Sequence, residues 1–296
     1  MALHPQARRM LSELGEPTDP AEIDLVEQRR QAREAALAAR SESVRIDHVD
    51  DLDADGVPVR LYRPRGGAPV ALYVHGGGWV MHDLETHDAF CRYLASTTGW
   101  ALLAVDYRRA PEHPYPAPLD DVVTAARWLR REASGHDVDA SFLPGIGDSA
   151  GGNLVAGACV RDPTLLDFQL LLYPATDPRV ELDPDDDNAA LDAASMRWMW
   201  SAYAEGAFDH PEVAVLRAPE PGRLPPAMVV TAEHDALRDQ GEAYVTRLAE
   251  AGVRATGWRA QGMVHSFWRQ PHTFDSAQDL VVMAGAVLDA AATLNG

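Results

Sequence analysis

Residues 147–151 read Gly147-Asp148-Ser149-Ala150-Gly151, which matches the G-x-S-x-G pattern of a nucleophile elbow. In such an elbow a serine lies on a sharp turn between a strand and a helix, and its hydroxyl is lifted out of the sheet. Both glycines are needed, because a side chain at either position would collide with the neighbouring strand or helix. The pattern therefore predicts an α/β fold in which Ser149 is a nucleophile.

A second glycine-rich turn precedes the elbow and reads His75-Gly76-Gly77-Gly78-Trp79. It follows the apolar run at 70–74, which is typical of a buried strand. Such a turn leaves backbone N–H groups free to face a developing oxyanion. The alternatives are a plain loop and a phosphate-binding loop, but a phosphate loop usually carries Gly-Lys-Ser or Gly-Lys-Thr and this chain contains no lysine. An oxyanion turn followed by a nucleophile turn indicates acyl transfer.

The acid and the base of a catalytic triad follow the nucleophile in chain order in this fold. Asp235 comes just after an apolar run at 226–231, and His265 follows a further candidate strand at 254–259. Ser149 would attack the acyl carbon, and His265 would act first as general base and then as general acid. Asp235 would orient the imidazole and stabilise its charged form.

Other acidic and histidine side chains compete for these roles. Asp239 lies four residues after the predicted acid, but a helix over 237–250 would place it in the first turn, where a carboxylate complements the helix dipole. His234 adjoins the predicted acid and would point away from it in an extended segment. His82 and His87 are five residues apart, which is poor helical spacing for a shared metal ion.

Strand and helix signals alternate after about residue 70, which is typical of a mainly parallel sheet covered on both faces. Apolar runs at 100–105 and 168–173 predict buried strands, and the apolar spacing over 120–131 predicts a helix. The run 57–62 alternates apolar and polar residues, so it predicts an earlier, half-exposed strand. At 296 residues the chain fits a single domain.

Charge and composition narrow the partners and the location. The formal charge is −19 and all 26 basic residues are arginine, which argues against nucleic acid and against stable association with an anionic membrane. No segment reaches the uninterrupted apolar length of a membrane span, and residues 1–9 lack an apolar signal core. Cys91 and Cys159 are expected to pack on helices as small hydrophobes, so no disulfide framework is implied. These features together predict a cytoplasmic protein.

Seven motifs spread over nearly the whole chain carry a resemblance to a known family. They read HGGGW at 75–79, DLETHD at 83–88, DYRRAPEHPYP at 106–116, GDSAGGN at 147–153, LYP at 172–174, TAEHD at 231–235 and GMVHSF at 262–267. Together they resemble the hormone-sensitive-lipase-like (family IV) carboxylesterases of the α/β-hydrolase fold.

The resemblance implies a mostly parallel central sheet flanked by helices, with a helical cap. It implies that the oxyanion donors are the backbone N–H groups of Gly77, Gly78 and Ala150. The implied activity is that of a serine carboxylesterase acting through an acyl-enzyme on uncharged esters with short to medium acyl chains, without metal or cofactor. Relatives of this kind are often dimers, so the resemblance implies a homodimer as one candidate assembly.

The predicted cap consists of residues 1 to about 42 and about 180 to 215, which interrupt the strand–helix alternation. In the family these two regions pack together above the active site. The second region contains the aromatic run 195–203, and we expect most of its side chains to pack the insert onto the domain. One or two of Met196, Met199 and Trp200 are expected to line the acyl pocket, and Trp79 is a further predicted substrate-binding residue.

Three positions depart from the family pattern. Pro144 falls in the strand that leads to the nucleophile, where proline is unusual, so a local bulge or a shortened strand is expected. Arg109 stands where leucine is common, and Ser266 follows the predicted base where glycine is frequent.

Two acidic features are interpreted without catalysis. The run 183–188 lacks the spaced ligands, the glycine and the distal glutamate of an EF-hand loop, and it is interpreted as a solvated loop with a helix N-cap rather than a calcium site. Asp148 precedes the nucleophile and is interpreted as fixing nearby loops through hydrogen bonds.

Two alternative functions stay open from the sequence alone. The same triad could hydrolyse a lactone, an amide or an acetylated small molecule, because the attacked carbonyl is chemically similar. A non-catalytic small-molecule receptor on this scaffold is the other alternative, and receptors of that kind lose a triad residue.

Overall fold

The computed structural model describes residues 2–13, 24–40, 43–180 and 190–295. The helices within these ranges are α1 (Pro5–Glu13), α2 (Leu25–Ala39), α3 (Leu84–Thr98), α4 (Ala117–Glu132), α5 (Ala150–Arg161), α6 (Ala193–Ala204), α7 (Arg238–Glu250) and α8 (Asp275–Asn295). The strands are β1 (His48–Ala54), β2 (Val57–Arg63), β3 (Ala68–Val74), β4 (Ala101–Val105), β5 (Val138–Asp139), β6 (Pro144–Asp148), β7 (Phe168–Leu172), β8 (Ala227–His234) and β9 (Ala255–Val264).

The strands form one sheet in the order β1-β2-β4-β3-β6-β7-β8-β9, and the short β5 pairs with β3 at the side. The pairs β1–β2 and β2–β4 are antiparallel, whereas every pairing from β4 to β9 along this order is parallel. The expected α/β-hydrolase fold is thereby confirmed. Because parallel strands end at the same edge of a sheet, the segments that follow β3, β6, β8 and β9 meet at one edge.

The core lies on both faces of this sheet. Alternate residues of a strand point to opposite faces, and in β3 Leu72 belongs to one buried apolar cluster while Ala71 and Tyr73 belong to the other. A strand buried on both faces needs apolar residues at every position, which explains the uninterrupted apolar run at 70–74.

The strand β2 is more buried than its alternating sequence predicts. Arg60 is only 5% exposed, because its guanidinium lies 3.0 Å from Glu85 and 3.1 Å from Asp88 and also bonds to Asp51. Carboxylates supplied by α3 and by β1 make burial of this cation tolerable. The half-exposed prediction for 57–62 was therefore wrong, since the polar position meets partners instead of solvent. The sequence reasoning also did not identify β1.

Pro144 is the first residue of β6. It aligns with Phe168 of β7, while pairing with β3 begins one residue later at Gly145. The pairing of β6 with both neighbours shows no register shift, so no bulge is present. A proline at the start of a strand avoids the loss of a central ladder donor.

The last helix, α8, is long and apolar. By length and hydropathy alone, Asp275–Leu294 could cross a bilayer, although Asp279 and Asp289 interrupt its apolar sequence. One face of α8 contributes Leu280, Val281 and Leu288 to the buried core, as a helix covering a sheet requires. Cys91 on α3 and Cys159 on α5 are also buried, and neither forms a disulfide.

Candidate active site

The nucleophile elbow is the turn between β6 and α5. Ser149 adopts φ 54° and ψ −118°, a strained backbone for a residue with a side chain, and its amide donates to the Leu172 carbonyl at 2.8 Å. A methyl group on Gly151 would overlap the Val74 carbonyl oxygen, and one on Gly147 would overlap the backbone of Gly151. The close approach of β3, β6 and α5 therefore leaves room only for glycine on either side of the serine.

The imidazole of His265 joins Ser149 to Asp235. Its Nε2 lies 2.9 Å from Ser149 Oγ, and its Nδ1 lies 2.7 Å from Asp235 Oδ2. The amide of Leu237 donates to Asp235 Oδ1 at 2.9 Å and so orients the carboxylate. Ser149, Asp235 and His265 are all buried, with less than a tenth of each residue's surface exposed. A carboxylate at Nδ1 favours the tautomer whose Nε2 can accept the serine proton.

The oxyanion turn leaves β3 and lies beside the elbow. Gly77 and Gly78 adopt φ values of 116° and 59°, and the Gly77 carbonyl accepts the amide of Met81 at 2.8 Å. Within the described ranges, the amides of Gly77 and Gly78 donate to no other protein group. Ala150 is the first residue of α5, so its amide has no acceptor within the helix. In the described ranges these three amides therefore have no protein acceptor, and the Ala150 amide lies at the positive end of a helix dipole.

The buried imidazoles of His75 and His87 and the half-buried imidazole of His82 lie in or just after the oxyanion turn. The ring of His87 lies 5.1 Å from that of His75 and 5.3 Å from that of His82. Burial lowers the pKa of His75 to about 4 and holds the pKa values of His82 and His87 well below their usual range. These rings are therefore neutral at pH 7. Among the residues that the structure describes, there is no cluster of His, Cys, Asp or Glu side chains that could hold a metal ion.

The rival candidates lie away from the serine. Asp239 is in the first turn of α7, three-quarters exposed, and its carboxylate pairs with Arg238 at 2.7 Å. His234 ends β8, and its Nε2 lies 3.9 Å from Glu233. In the described part of the chain, no hydrogen bond connects Asp239 or His234 to Ser149 or to its imidazole partner.

The predicted substrate-binding residues meet where α6 packs on the oxyanion turn. The Trp79 ring stacks on Tyr203 at a centroid distance of 4.5 Å and lies 4.2 Å from the Trp200 ring. Trp79, Trp200 and Met196 are all buried. Met199 is half-buried and lies against Gly78, where a methyl group would overlap its sulfur. Most of these side chains therefore hold α6 on the domain.

A cavity of about 550 Å³ adjoins this contact. Trp200 forms part of its wall together with Arg179, Arg197 and Phe208. Of the four residues predicted to bind substrate, Met199 borders an oxyanion glycine and Trp200 borders open volume.

The helix α2 also reaches the segment that follows the oxyanion turn. Arg29 donates to the carbonyls of Val80 at 2.6 Å and Ala110 at 2.7 Å, and Arg33 pairs with Asp83 at 2.7 Å. Helix α2 of the first predicted cap region thus contacts the residues after the turn, and α6 of the second contacts the turn itself. The stretches 14–23, 41–42 and 181–189 lie outside the described residues, and with them the acidic run 183–188.

Sequence reasoning missed one aromatic neighbour of the imidazole. The Tyr173 ring lies 4.8 Å from the His265 ring and is buried. The LYP motif at 172–174 was the available signal, but no sequence spacing relates it to a histidine so far along the chain. Of the atypical positions, Arg109 donates to the His82 carbonyl, and Ser266 adopts φ 64° where glycine would be unstrained.

Comparisons with known proteins agree with this geometry. A family model described as the alpha/beta hydrolase fold matches residues 71–269. An ethyl acetate hydrolase of Pseudomonas putida is 33% identical over 281 residues, which are 88% of each chain. The carboxylesterase NlhH of Mycobacterium tuberculosis is 40% identical over 227 residues, or 71% of each chain.

The fold comparison extends over almost the full length. The solved structure of a hyperthermophilic esterase from the archaeon Pyrobaculum calidifontis superimposes with a TM-score of 0.91 at 32% identity, covering 99% of both chains. With a matched family model, esterase relatives of this identity and a serine elbow in the expected sheet position, the chain belongs to the hormone-sensitive-lipase-like carboxylesterases of the α/β-hydrolase superfamily, and it is a carboxylic ester hydrolase.

Proposed function

We propose that Ser149, His265 and Asp235 carry out ester hydrolysis through an acyl-enzyme. The 2.9 Å contact between His265 Nε2 and Ser149 Oγ is the observation that carries this proposal. Nε2 takes the hydroxyl proton as Oγ attacks the acyl carbon, and it returns that proton to the departing alcohol. Water then repeats the attack with the same base, releasing the acid and restoring the serine. Asp235 keeps Nδ1 protonated and stabilises the imidazolium.

The negative oxygen of the tetrahedral intermediate is proposed to bind the amides of Gly77, Gly78 and Ala150. Support comes from the absence of a protein acceptor for these amides in the described ranges and from the start of α5 at Ala150. A single donor of this kind typically contributes about 3 kcal/mol to the transition state.

The substrate class is proposed to be uncharged esters with short to medium acyl chains. The Pseudomonas putida relative is an ethyl acetate hydrolase, which supports the short end of this range. Trp79, Met196, Met199 and Trp200 are proposed as substrate-binding residues, with Met199 beside Gly78 limiting the room next to the oxyanion site. The contacts of α2 and α6 with the oxyanion segment support the assignment of 1–42 and 180–215 as a cap.

The decisive experiment labels the purified enzyme with a fluorophosphonate. We expect one labelled peptide, containing Ser149, and complete loss of both labelling and aryl-ester hydrolysis in Ser149→Ala. Ser141→Ala, which changes an exposed serine in the loop before β6, is the matched control and should label normally. Near-normal turnover by a folded Ser149→Ala variant would exclude this nucleophile.

Two finer assignments complete the proposal. A cytoplasmic location is supported by two buried cysteines without a disulfide. A homodimer is supported by the position of β9 at the end of the strand order and by Trp258 on that strand, which is 37% exposed. Light scattering coupled to gel filtration measures the oligomeric state. Cell fractionation measures the location of the protein.

A further inference from the structure

The carboxylate of Asp148 lies directly beneath the oxyanion turn. Asp148 is 1% exposed, and its Oδ1 accepts the amide of Gly76 at 3.0 Å and the hydroxyl of Tyr73 at 2.9 Å. A methyl group on Gly76 would come within 2.5 Å of Asp148 Oδ2, so the turn rests on the carboxylate without space for a side chain. Because Gly76 precedes Gly77, this bond fixes the backbone next to the proposed oxyanion donors.

The other oxygen of this carboxylate faces a cation from the histidine loop. Arg269 Nε lies 3.4 Å from Asp148 Oδ2, and Arg269 Nη1 lies 3.1 Å from His87 Nε2. Arg269 lies four residues after His265 in the loop between β9 and α8. It is the last residue of a short helical turn that begins at Phe267. One guanidinium thus connects the loop of the base with the strand end of the nucleophile and with α3.

The charged state of Asp148 depends on the neighbouring Arg269 guanidinium. Burial raises the pKa of Asp148, and the Arg269 guanidinium opposes that shift. The neutral His87 ring accepts from Arg269 through Nε2, and its Nδ1 lies 3.2 Å from Thr86 Oγ1. Without the cation, Asp148 would be a buried carboxylate lacking a counter-charge, which favours protonation or movement of the group. Either change alters the acceptor that holds the Gly76 amide.

We propose that Asp148 and Arg269 form a positioning pair that fixes the oxyanion turn relative to the loop of His265. Neither side chain contacts the hydroxyl of Ser149, so the pair acts through the groups it holds. The inference rests on the proposed roles of Ser149, His265 and Gly77. Small displacements of reacting groups are costly, since an error of about 1 Å lowers rates by roughly a hundredfold. Loss of the pair should therefore lower kcat while leaving KM nearly unchanged.

The first test compares Arg269→Gln with Arg161→Gln. Arg161 is a matched control, because its side chain is 23% exposed against 21% for Arg269 and it pairs with Glu212 at 2.6 Å on the far end of α5. Rates on a short aryl ester are divided by the number of active sites titrated to completion with a fluorophosphonate. Arg269→Gln should lower kcat by about 10- to 100-fold with KM changed less than about threefold. Arg161→Gln should keep kcat within about twofold of the parent.

The second test is a double-mutant cycle. Asp148→Asn preserves the size of the group and removes its charge, and it carries the comparison if Arg269→Gln does not fold. If the two residues act as one pair, the double variant should be no slower than the worse single variant. Arg269→Lys retains the positive charge and should recover at least about fivefold of the kcat lost in Arg269→Gln.

The proposal would be overturned by a kcat per active site within about twofold of the parent in Arg269→Gln, or by losses that multiply in the double variant. A purely structural role would lower the melting temperature and the number of titratable sites without changing kcat per site. Failure of Ser149 to label in the parent enzyme would instead contradict the proposed function. The two failures are therefore distinguishable.

Discussion

Replacing Asp235 with asparagine is the sharpest test of the proposed triad. The Asp235 side chain is fully buried, with Oδ1 bonded to the Leu237 amide at 2.9 Å and Oδ2 to His265 Nδ1 at 2.7 Å. Asparagine can keep the first bond through its carbonyl oxygen, but it then presents an NH₂ group to Nδ1. The imidazole must accept there, so Nε2 carries the proton and cannot take one from Ser149.

The expected loss follows from this inverted tautomer. In a Ser-His-Asp triad such a change lowers kcat by about 10⁴-fold, which corresponds to about 5.5 kcal/mol of transition-state stabilisation. The stability cost should be smaller, roughly 1.5–3 kcal/mol, because a hydrogen bond to a charged carboxylate is replaced by one between neutral groups. Hydrolysis of a short aryl ester measures the first quantity, and denaturant unfolding measures the second.

Asp239→Asn is the control for this experiment. Asp239 has the same chemistry four residues away, but it is three-quarters exposed and pairs with Arg238. We expect its activity to stay within about twofold of the parent. If a folded Asp235→Asn variant kept more than about a tenth of the parent kcat/KM, the assignment of Asp235 as the triad acid would be wrong.

Three further predictions follow from the surroundings of the serine. Gly151→Ala should abolish activity and lower the melting temperature, because its methyl group would overlap backbone of β3; a normal melting curve and turnover would contradict the close approach. Burial lowers the pKa of His75 to about 4 in the folded state, against 6.5 in the unfolded state, so the unfolded state binds the proton first and stability is lost as the pH falls from 6.5 to 4. The free energy of unfolding should therefore drop between pH 7 and pH 4.5 by roughly 2–3 kcal/mol less in His75→Gln than in the parent. An unchanged pH dependence in the variant would refute this prediction. Met199→Ala opens space beside Gly78, so the ratio of kcat/KM for longer over shorter acyl esters should rise, and an unaltered ratio across an acyl series would remove Met199 from the pocket.

The sequence predicted much of the architecture because its signals are local. The apolar runs that became β3 and β4 are continuous, as strands buried on both faces require, and the glycines around Ser149 mark the elbow directly. The prediction for β2 failed because local alternation does not report tertiary partners. Arg60 reads as a solvent-facing residue, yet Asp51, Glu85 and Asp88 neutralise it inside the protein.

The amino-acid order alone restricted the candidates for nucleophile, base and acid, since a triad on this fold runs from serine to acid to histidine along the chain. Tertiary structure alone decided that the His265 ring stands 2.9 Å from Ser149 Oγ, that Met199 lies against Gly78, and that Arg269 faces Asp148. The physical reason is that periodicity encodes which face of an element is apolar. The distance between side chains on different loops is set only when parallel strands bring those loops to one edge of the sheet.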